Sequence, residues 1–269
     1  MDCLRRIQTL LSYTAEDDAS PIGGGDNYHF IYNRLPVPYS NAEAKIRKNI
    51  ELLSESKVPN RWPVKRGFVN RSPSGFIECG NEKFSCYKTL INDKFAMWAL
   101  IDLEWTKKLC REIKSLGIKT CLEVGGGRGW LSKAMSEHSI DMICTDIESR
   151  ESVYDVEEID GVSAIDKYGE TADALVISWP HDNASEFIKK WSSGKWVIYI
   201  GESPTGCNAY MDFFENFKLH KVIEVPTWDY LHDACLIGRR TECSDDFNSK
   251  GCLRESLRHL FPEKISNCW

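Results

Sequence analysis

The sequence predicts an α/β fold: a doubly wound, mostly parallel sheet of seven strands that ends in an antiparallel hairpin and follows an N-terminal extension. Strand-like and helix-like segments alternate between residues 92 and 240, as they do in parallel sheets covered by helices on both faces. One strand-like run ends in a glycine-rich turn, 123–129, where a helical pattern begins. The last two strand-like runs are joined by a loop alone, so they have to pair antiparallel.

The spacing of apolar residues predicts the individual elements. Helical spacing indicates one helix that is capped by Asn92 or Asp93, runs through Phe95 and Leu116, and stops at Gly117. Helices are also expected from about 129, around 187–191 and at 210–217. The predicted strands are 119–124, 140–145, 161–164, 174–178, 196–200, 220–225 and 233–238.

Proline and glycine divide the chain into three predicted parts. Residues 1–91 are expected to form an N-terminal extension that caps the substrate site, with helices at 1–18 and 42–57 and loops at 19–41 and 58–86. Residues 92–240 form the predicted sheet domain. Residues 241–269 are expected to be a polar C-terminal tail with one short helix.

The composition is typical of a folded intracellular chain. With 42% hydrophobic and 28% charged residues it can bury a core, which excludes bulk disorder. No apolar run approaches the roughly 18 residues of a membrane span, and no long apolar segment follows the charged N-terminus, so we expect a cytoplasmic protein without a membrane partner. The eleven cysteines include no C-x-x-C pair, so free or buried thiols are expected rather than a metal site.

Charge is distributed unevenly along the chain. Residues 1–115 carry 18 Lys and Arg against 14 Asp and Glu, whereas residues 116–269 carry 16 against 26. The basic residues concentrate within 45–71. If this stretch faces the site, an anionic acceptor such as RNA or a phosphorylated small molecule is expected; the alternative is a solvated basic surface.

The turn after the first predicted strand carries the strongest functional signal. Glu123 is followed by Gly125, Gly126, Gly127 and a further glycine at 129. Glycine lets bare backbone meet a ligand and adopt dihedral angles that a Cβ forbids. A dinucleotide fingerprint would also need glycine at 130, where this chain has Trp130. The alternative is a tight structural turn without a ligand.

The pattern Glu-x-Gly-x-Gly-x-Gly at 123–129 resembles motif I of the class I S-adenosylmethionine (SAM) methyltransferases. The runs 175–180, 197–202 and 236–240 resemble one branch of this superfamily, found in protists, fungi and large viruses. The resemblance implies SAM as cofactor, a seven-stranded sheet with a reversed last hairpin, and methyl transfer by direct displacement. It places Glu123, Gly125, Gly127 and Asp146 at the cofactor, with Gly126 in the same turn.

Within this interpretation each part of SAM has an expected partner. Glu123 is expected to orient the ammonium group, and exposed amides near the helix N-terminus to receive the carboxylate. Asp146, which follows the second predicted strand, can accept hydrogen bonds from both ribose hydroxyls, although it can also cap a helix. Ile147 is expected to pack on the adenine. Ser163 and Ala164, after the third predicted strand, are expected at the adenine edge.

The acceptor site is expected where the fourth strand ends, because that strand lies beside the first. Many methyltransferases carry Asp/Asn-Pro-Pro-Tyr/Phe there, and Ser178-Trp179-Pro180-His181-Asp182 departs from that pattern. We expect Ser178 to contact the cofactor, Trp179 to form a stacking wall, and His181 or Asp182 to accept a proton. The alternative is that Pro180 and Asp182 only start the next helix.

Two further residues are candidates for the acceptor site. Glu202 follows the fifth predicted strand and can hold a cationic group or accept a proton, unless it is a solvated acid at the rim. Trp228 lies in the predicted terminal hairpin loop and can line the acceptor pocket.

These observations predict SAM-dependent methyl transfer to RNA or a small molecule, with a protein acceptor as the third choice. The alternative is a catalytically inactive methyltransferase-like interaction module, because the usual amine-binding tetrapeptide is missing. A nicotinamide oxidoreductase is disfavoured by Trp130 and by the antiparallel terminal hairpin.

Overall fold

Seven strands form one sheet in the computed structural model, which describes residues 41–64, 85–148, 151–180, 183–202, 208–228, 231 and 233–242. The strands are β1 Thr120–Val124, β2 Asp141–Asp146, β3 Val156–Glu158, β4 Ala174–Ser178, β5 Trp196–Glu202, β6 Phe217–Glu224 and β7 Asp233–Arg240. Their order is β3-β2-β1-β4-β5-β7-β6. The pairs among β1 to β5 are parallel, and β7 runs antiparallel between β5 and β6. The predicted fold class is confirmed.

Helices cover both faces of this sheet. They are α1 Asn41–Ser54, α2 Ser85–Phe95, α3 Leu103–Ser115, α4 Trp130–Ser136, α5 Gly161–Tyr168, α6 Ala184–Lys190 and α7 Met211–Glu215. The strand side chains on one face pack with α1 to α4, and those on the other face with α5 to α7. Because both faces are covered, the run 174–177 in β4 is apolar at every position. Among the described helices, none has the length and hydrophobicity that crossing a membrane requires.

The N-terminal extension shares its core with the sheet domain over the part that the structure describes. The predicted boundary at residue 91 falls inside α2. Ile46 and Ile50 of α1 and the fully buried Trp62 belong to the same apolar cluster as the strand residues. The predicted helix at 1–18, residues 19–40 of the loop predicted at 19–41, and residues 243–269 of the tail predicted at 241–269 lie outside the described residues.

The long helix predicted from Asn92 is wrong: α2 ends at Phe95 and α3 begins at Leu103. Ala96 has φ +48°, outside the right-handed helical region. Asp102 is extended, and its side chain accepts a hydrogen bond from the Trp105 backbone N–H at 2.9 Å. Asp102 is therefore the N-cap of α3. The apolar residues 96–101 connect the two helices and belong to neither of them.

The third predicted strand, 161–164, is also wrong, because these residues open α5. The strand lies earlier, at Val156–Glu158, and has three residues. The Asp160 side chain accepts hydrogen bonds from the backbone N–H groups of Val162 and Ser163 at 3.1 and 3.0 Å. An aspartate in this position caps a helix and ends the preceding strand.

Substituting Asp102 by alanine is expected to lower the free energy of unfolding by about 2 kcal/mol. Asp102 is fully buried and also accepts a hydrogen bond from the Trp62 backbone N–H at 3.0 Å. Alanine leaves both N–H groups without this acceptor in the core. Urea denaturation measures the change, and Asp160→Ala is the matched control, since Asp160 caps α5 at the surface. Equal losses of unfolding free energy in the two variants would contradict the conclusion that Asp102 links the backbones of Trp62 and Trp105 in the core.

Candidate cofactor site

A cavity of about 320 Å³ lies at the carboxyl ends of β1, β2 and β4. The predicted residues that line it come from three strand ends. They are Glu123, Gly125, Gly126, Gly127, Asp146, Ile147, Ser178 and Trp179. This is where open α/β sheets bind ligands, because the direction of the crossovers changes between β1 and β4. Residues of the segment 96–101 form a further side of the cavity, which was not predicted from the sequence.

The glycine turn presents bare backbone to the cavity. Gly125 has φ +65°, which favours glycine, and a Cβ added there would meet no atom within 4 Å. At Gly126 an added Cβ would lie 2.6 Å from the Cys144 sulfur, so the turn also sits close against β2. Two amides of the turn are already hydrogen-bonded within the protein. The N–H of Gly126 donates to the carbonyl of Thr145, and that of Gly127 donates to Asp146.

Asp146 holds the turn with its side chain. Its Oδ2 accepts the Gly127 N–H at 2.7 Å, and its Oδ1 accepts the Glu148 N–H at 3.0 Å. Each carboxylate oxygen can accept a second hydrogen bond. Asp146 does not cap a helix within the described residues, since none of 147, 148 and 151–155 is helical. The carboxylate therefore combines a structural contact with acceptor capacity at the cavity.

Glu123 is a buried acid in the cavity wall, with 1% of its surface exposed. Its Oε2 accepts hydrogen bonds from the Ser132 N–H at 3.1 Å, from the Ser132 hydroxyl at 2.5 Å and from the Cys144 thiol at 3.6 Å. Burial raises the pKa of Glu123 to about 7, against the effect of these hydrogen bonds. Within the described part of the chain the donors all meet Oε2, which leaves Oε1 for a ligand.

Residues 96–101 cross the cavity between α2 and α3, and three tryptophans hold their backbone. The indole N–H groups of Trp130, Trp105 and Trp62 donate to the carbonyls of Phe95, Leu100 and residue 101 at 2.7, 3.0 and 2.8 Å. Trp130, which replaces the third glycine of a dinucleotide fingerprint, thus docks the end of α2 onto α4. The uninterrupted apolar run 96–101, followed by Asp102, was the signal in the sequence for this segment.

Trp179 is held at both ends beside the cavity. Its φ of +49° is unusual for a residue with a side chain. Its backbone N–H donates to the Ile200 carbonyl at 2.7 Å, and its indole N–H donates to Asp233 Oδ1 at 3.0 Å. The ring stacks on that of Trp98, with centroids 6.2 Å apart and planes inclined by 23°. Both rings line the cavity.

Asp233 is the residue that the sequence analysis missed. It pairs across β5 and β7 with Glu202, and the two acids are 2% and 8% exposed. Burial, followed by the charge of Glu202, raises the pKa of Asp233 to about 7. An acid at the start of the apolar run of β7 was the only signal in the sequence. Its contact with Trp179 joins residues that are 54 positions apart.

Several predicted site residues do not line the cavity. Ser163 and Ala164 lie on α5, where Ser163 is exposed and Ala164 is fully buried, and neither lines the cavity; their assignment to the adenine edge stays a prediction. Trp228 is buried in the core, and Glu202 lies behind Trp179, beside Asp233. His181 and Asp182 lie outside the described residues. In the described part of the chain no group of His, Cys, Asp or Glu is placed to hold a metal ion.

Comparisons with known proteins show likenesses to solved methyltransferase structures. No protein-family model and no curated protein matches the sequence. A SAM-dependent methyltransferase from Archaeoglobus fulgidus is 14% identical, with a TM-score of 0.37 over 57% of this chain and 100% of that chain. Magnesium protoporphyrin IX methyltransferase from Synechocystis, solved with bound SAM, is 12% identical, with a TM-score of 0.38 over 58% and 96%.

A third structure is 1,6-didemethyltoxoflavin-N1-methyltransferase from Burkholderia thailandensis, with bound 1,6-didemethyltoxoflavin and S-adenosylhomocysteine. It is 13% identical, with a TM-score of 0.38 over 69% of this chain and 100% of that chain. Likenesses at these identities and TM-scores assign neither a superfamily nor a function to this chain. The strand order and the antiparallel β7 are independent of them. The chain therefore has the Rossmann-like, seven-stranded sheet with a reversed last hairpin that its sequence resemblance to class I SAM-dependent methyltransferases implies.

Proposed function

We propose that the protein binds SAM in the cavity beside the glycine turn and transfers its methyl group to an acceptor. The charge of the cavity carries this proposal. Among the described lining residues the charged ones are Glu123, Asp146 and Glu148, all of them acidic. SAM carries a sulfonium and an ammonium group, whereas the pyrophosphate of a nicotinamide dinucleotide is anionic. The cavity therefore favours SAM on electrostatic grounds.

The residues present fit SAM in size and chemistry. Oε1 of Glu123 is available for the ammonium group, and the two oxygens of Asp146 for the ribose hydroxyls. Ile147 is 68% exposed at the cavity and offers an apolar surface for the adenine. Since a Cβ on Gly125 would enter open space, the bare turn leaves room that a side chain would fill.

When bound, SAM would supply a methyl group that its positively charged sulfur already activates. The chain then has to orient the acceptor and exclude water. Trp98, Trp179 and the segment 96–101 would do both, because they close the cavity beside the end of β4. His181, Asp182 and Glu202 stay predictions as proton acceptors.

Isothermal titration with SAM, S-adenosylhomocysteine and NAD⁺ tests the cofactor. We expect micromolar binding of the first two and no heat with NAD⁺, because of the acidic lining. Absence of binding with both SAM and S-adenosylhomocysteine would refute the proposal, and so would preferential binding of NAD⁺.

Gly125→Val should reduce SAM binding, since its side chain would occupy the cavity. Gly194→Val is the matched control: Gly194 also has positive φ, but lies at the opposite end of the sheet.

The second candidate is an inactive module that binds SAM without transferring a methyl group. It is favoured by Ser178-Trp179-Pro180, which stands in place of the usual tetrapeptide. Tritiated-methyl incorporation into a cell extract, separated into RNA, protein and small molecules, distinguishes the two. Labelling of the small-molecule fraction is expected from a catalyst. Intact SAM binding without label in any fraction would support the module instead.

A further inference from the structure

We infer that the acceptor is a small compound with a basic nitrogen, received on the stacked indoles of Trp98 and Trp179, and that Asp233 positions Trp179 for this purpose. The inference rests on the proposed function and names its substrate class. It depends on the indole pair, on the acids behind it, and on the distribution of charge around the cavity.

The indole pair forms an aromatic wall that is open to the cavity. Trp98 is 43% exposed although it stacks on Trp179. An exposed tryptophan beside a cavity is a typical site for ligand contact, because its face attracts both flat rings and cations. Trp98 comes from the segment 96–101 and Trp179 from the end of β4, so the wall spans two sides of the cavity.

Trp179 packs against the core cluster, and two hydrogen bonds fix its position at the cavity. The backbone at φ +49° persists only where the surroundings determine it. Here the Ile200 carbonyl holds the main chain and Asp233 holds the indole N–H. The other oxygen of Asp233 receives the Thr227 hydroxyl at 3.4 Å. Asp233 thus acts through Trp179 as a positioning residue, rather than by touching the acceptor.

The charges around this wall favour a cation over an anion. Asp233 accepts the indole N–H of Trp179 and pairs with Glu202 across β5 and β7, and the charged groups among the described cavity residues are acidic. The Lys88 ammonium of α2 acts on Asp233 in the opposite sense, lowering its pKa. The basic residues of α1 and the following loop that the structure describes, Lys45, Arg47, Lys48, Lys57 and Arg61, do not line the cavity. The structure therefore gives no support there to the expected phosphate-bearing acceptor.

A basic nitrogen also suits the direction in which charge moves. A basic nitrogen that arrives protonated first releases that proton to water or a nearby acid anion. Its lone pair would then form the new bond to the methyl carbon while the carbon–sulfur bond breaks and the sulfur keeps that electron pair. Positive charge thus moves from sulfur to nitrogen. A nitrogen that carried a hydrogen then releases it to water or a nearby acid anion. Indole faces, one of them belonging to a ring whose N–H edge is held by the Asp233 carboxylate, favour the nitrogen-centred cation as it forms.

The test uses three probes of similar shape, titrated into the full chain saturated with S-adenosylhomocysteine: choline, 3,3-dimethylbutanol and 3,3-dimethylbutanoate. They differ mainly in being cationic, neutral and anionic. We expect choline to bind at least fivefold more tightly than the alcohol, and the carboxylate to bind least. Equal binding of choline and the alcohol, or tighter binding of the carboxylate, would overturn the inference.

Three variants test which residues cause the preference for choline over the alcohol. Trp98→Leu removes the exposed ring. Asp233→Asn keeps an oxygen for the Trp179 indole and, in titrations at pH 8, removes the negative charge that Asp233 carries above its pKa. Both should reduce the choline-to-alcohol ratio at least threefold. Trp196→Leu, at the amino end of β5 and away from the cavity, is the control and should leave the ratio unchanged. An unchanged ratio in Trp98→Leu would refute the site.

Binding of S-adenosylhomocysteine separates this inference from the proposed function. If it binds and the charge preference is absent, only the acceptor assignment fails. If it does not bind at all, the proposed function fails, and the acceptor assignment with it.

Discussion

Alanine in place of Asp146 is expected to weaken SAM binding at least a hundredfold. The carboxylate is proposed to accept the ribose hydroxyls, and hydrogen bonds to a charged group contribute about 1.5–3 kcal/mol each. Loss of two such contacts corresponds to a factor of about a hundred or more in the dissociation constant. The variant also loses the anchor of the Gly127 and Glu148 N–H groups, so the glycine turn itself is less well fixed.

Isothermal titration measures the loss, and two comparisons identify its origin. Asp141→Ala removes an exposed acid at the other end of β2 and should leave SAM affinity unchanged. Adenosine should bind the wild type more tightly than 2′,3′-dideoxyadenosine, and Asp146→Ala should abolish that difference. Retention of the difference in the variant would show that Asp146 supports the turn but does not bind the ribose.

The sheet could be predicted from the sequence because its physical causes are local. Strands covered on both faces are apolar throughout, as at 174–177, and the turn at 125–129 needs glycine where φ is positive. The reversed hairpin followed from the absence of a helix between β6 and β7. These features depend on neighbouring residues alone, so a single sequence contains them.

The break between α2 and α3 could not be predicted in this way. The apolar residues at 96–101 fit a helical spacing, but all except residue 100 line the cavity. The carbonyls of Phe95 and residue 101 accept hydrogen bonds from indoles that lie elsewhere in the chain. Asp102 alone indicated a new N-terminus. In the same way β3 is too short for a periodic pattern, and only the cap residue Asp160 marked the start of α5.

The candidate site also contains residues that local sequence predicted and contacts that depend on the tertiary fold. Glu123 and Asp146 follow strands directly, so their place at the cavity was predictable from the order of elements. The contact between Trp179 and Asp233 depends on β7 lying beside β5, and the stacking of Trp98 depends on the helix break. Neither pairing has a local signal. The sequence therefore predicted Trp179 at the acceptor site, but not its contacts with Asp233 and Trp98, on which the proposed choice of acceptor depends.

Glutamine in place of Glu123 is expected to stabilise the fold at neutral and alkaline pH. Burial raises the pKa of Glu123 from 4.5 to about 7, so the folded state disfavours the ionised form. The wild type therefore loses stability, relative to the variant, as pH rises from 4.5 through about 7. Above that range the relative gain of Glu123→Gln is about 3 kcal/mol, and it disappears below pH 4.5. Urea denaturation across this range tests the trend, with Glu137→Gln at the exposed end of α4 as the control.

The same substitution is expected to weaken SAM binding at least a hundredfold at pH 8, because the buried carboxylate loses its charge opposite the ammonium group. Affinity of the wild type should rise with pH up to about 7, since the ammonium favours ionised Glu123, and this component should be missing in the variant. S-adenosylhomocysteine carries the same ammonium group and should show the same dependence. A variant that is more stable but binds both ligands as well as the wild type would remove Glu123 from the cofactor site. If Glu123→Gln is more stable and binds SAM more weakly, then burial of Glu123 lowers the stability of the fold while its carboxylate binds the ligand.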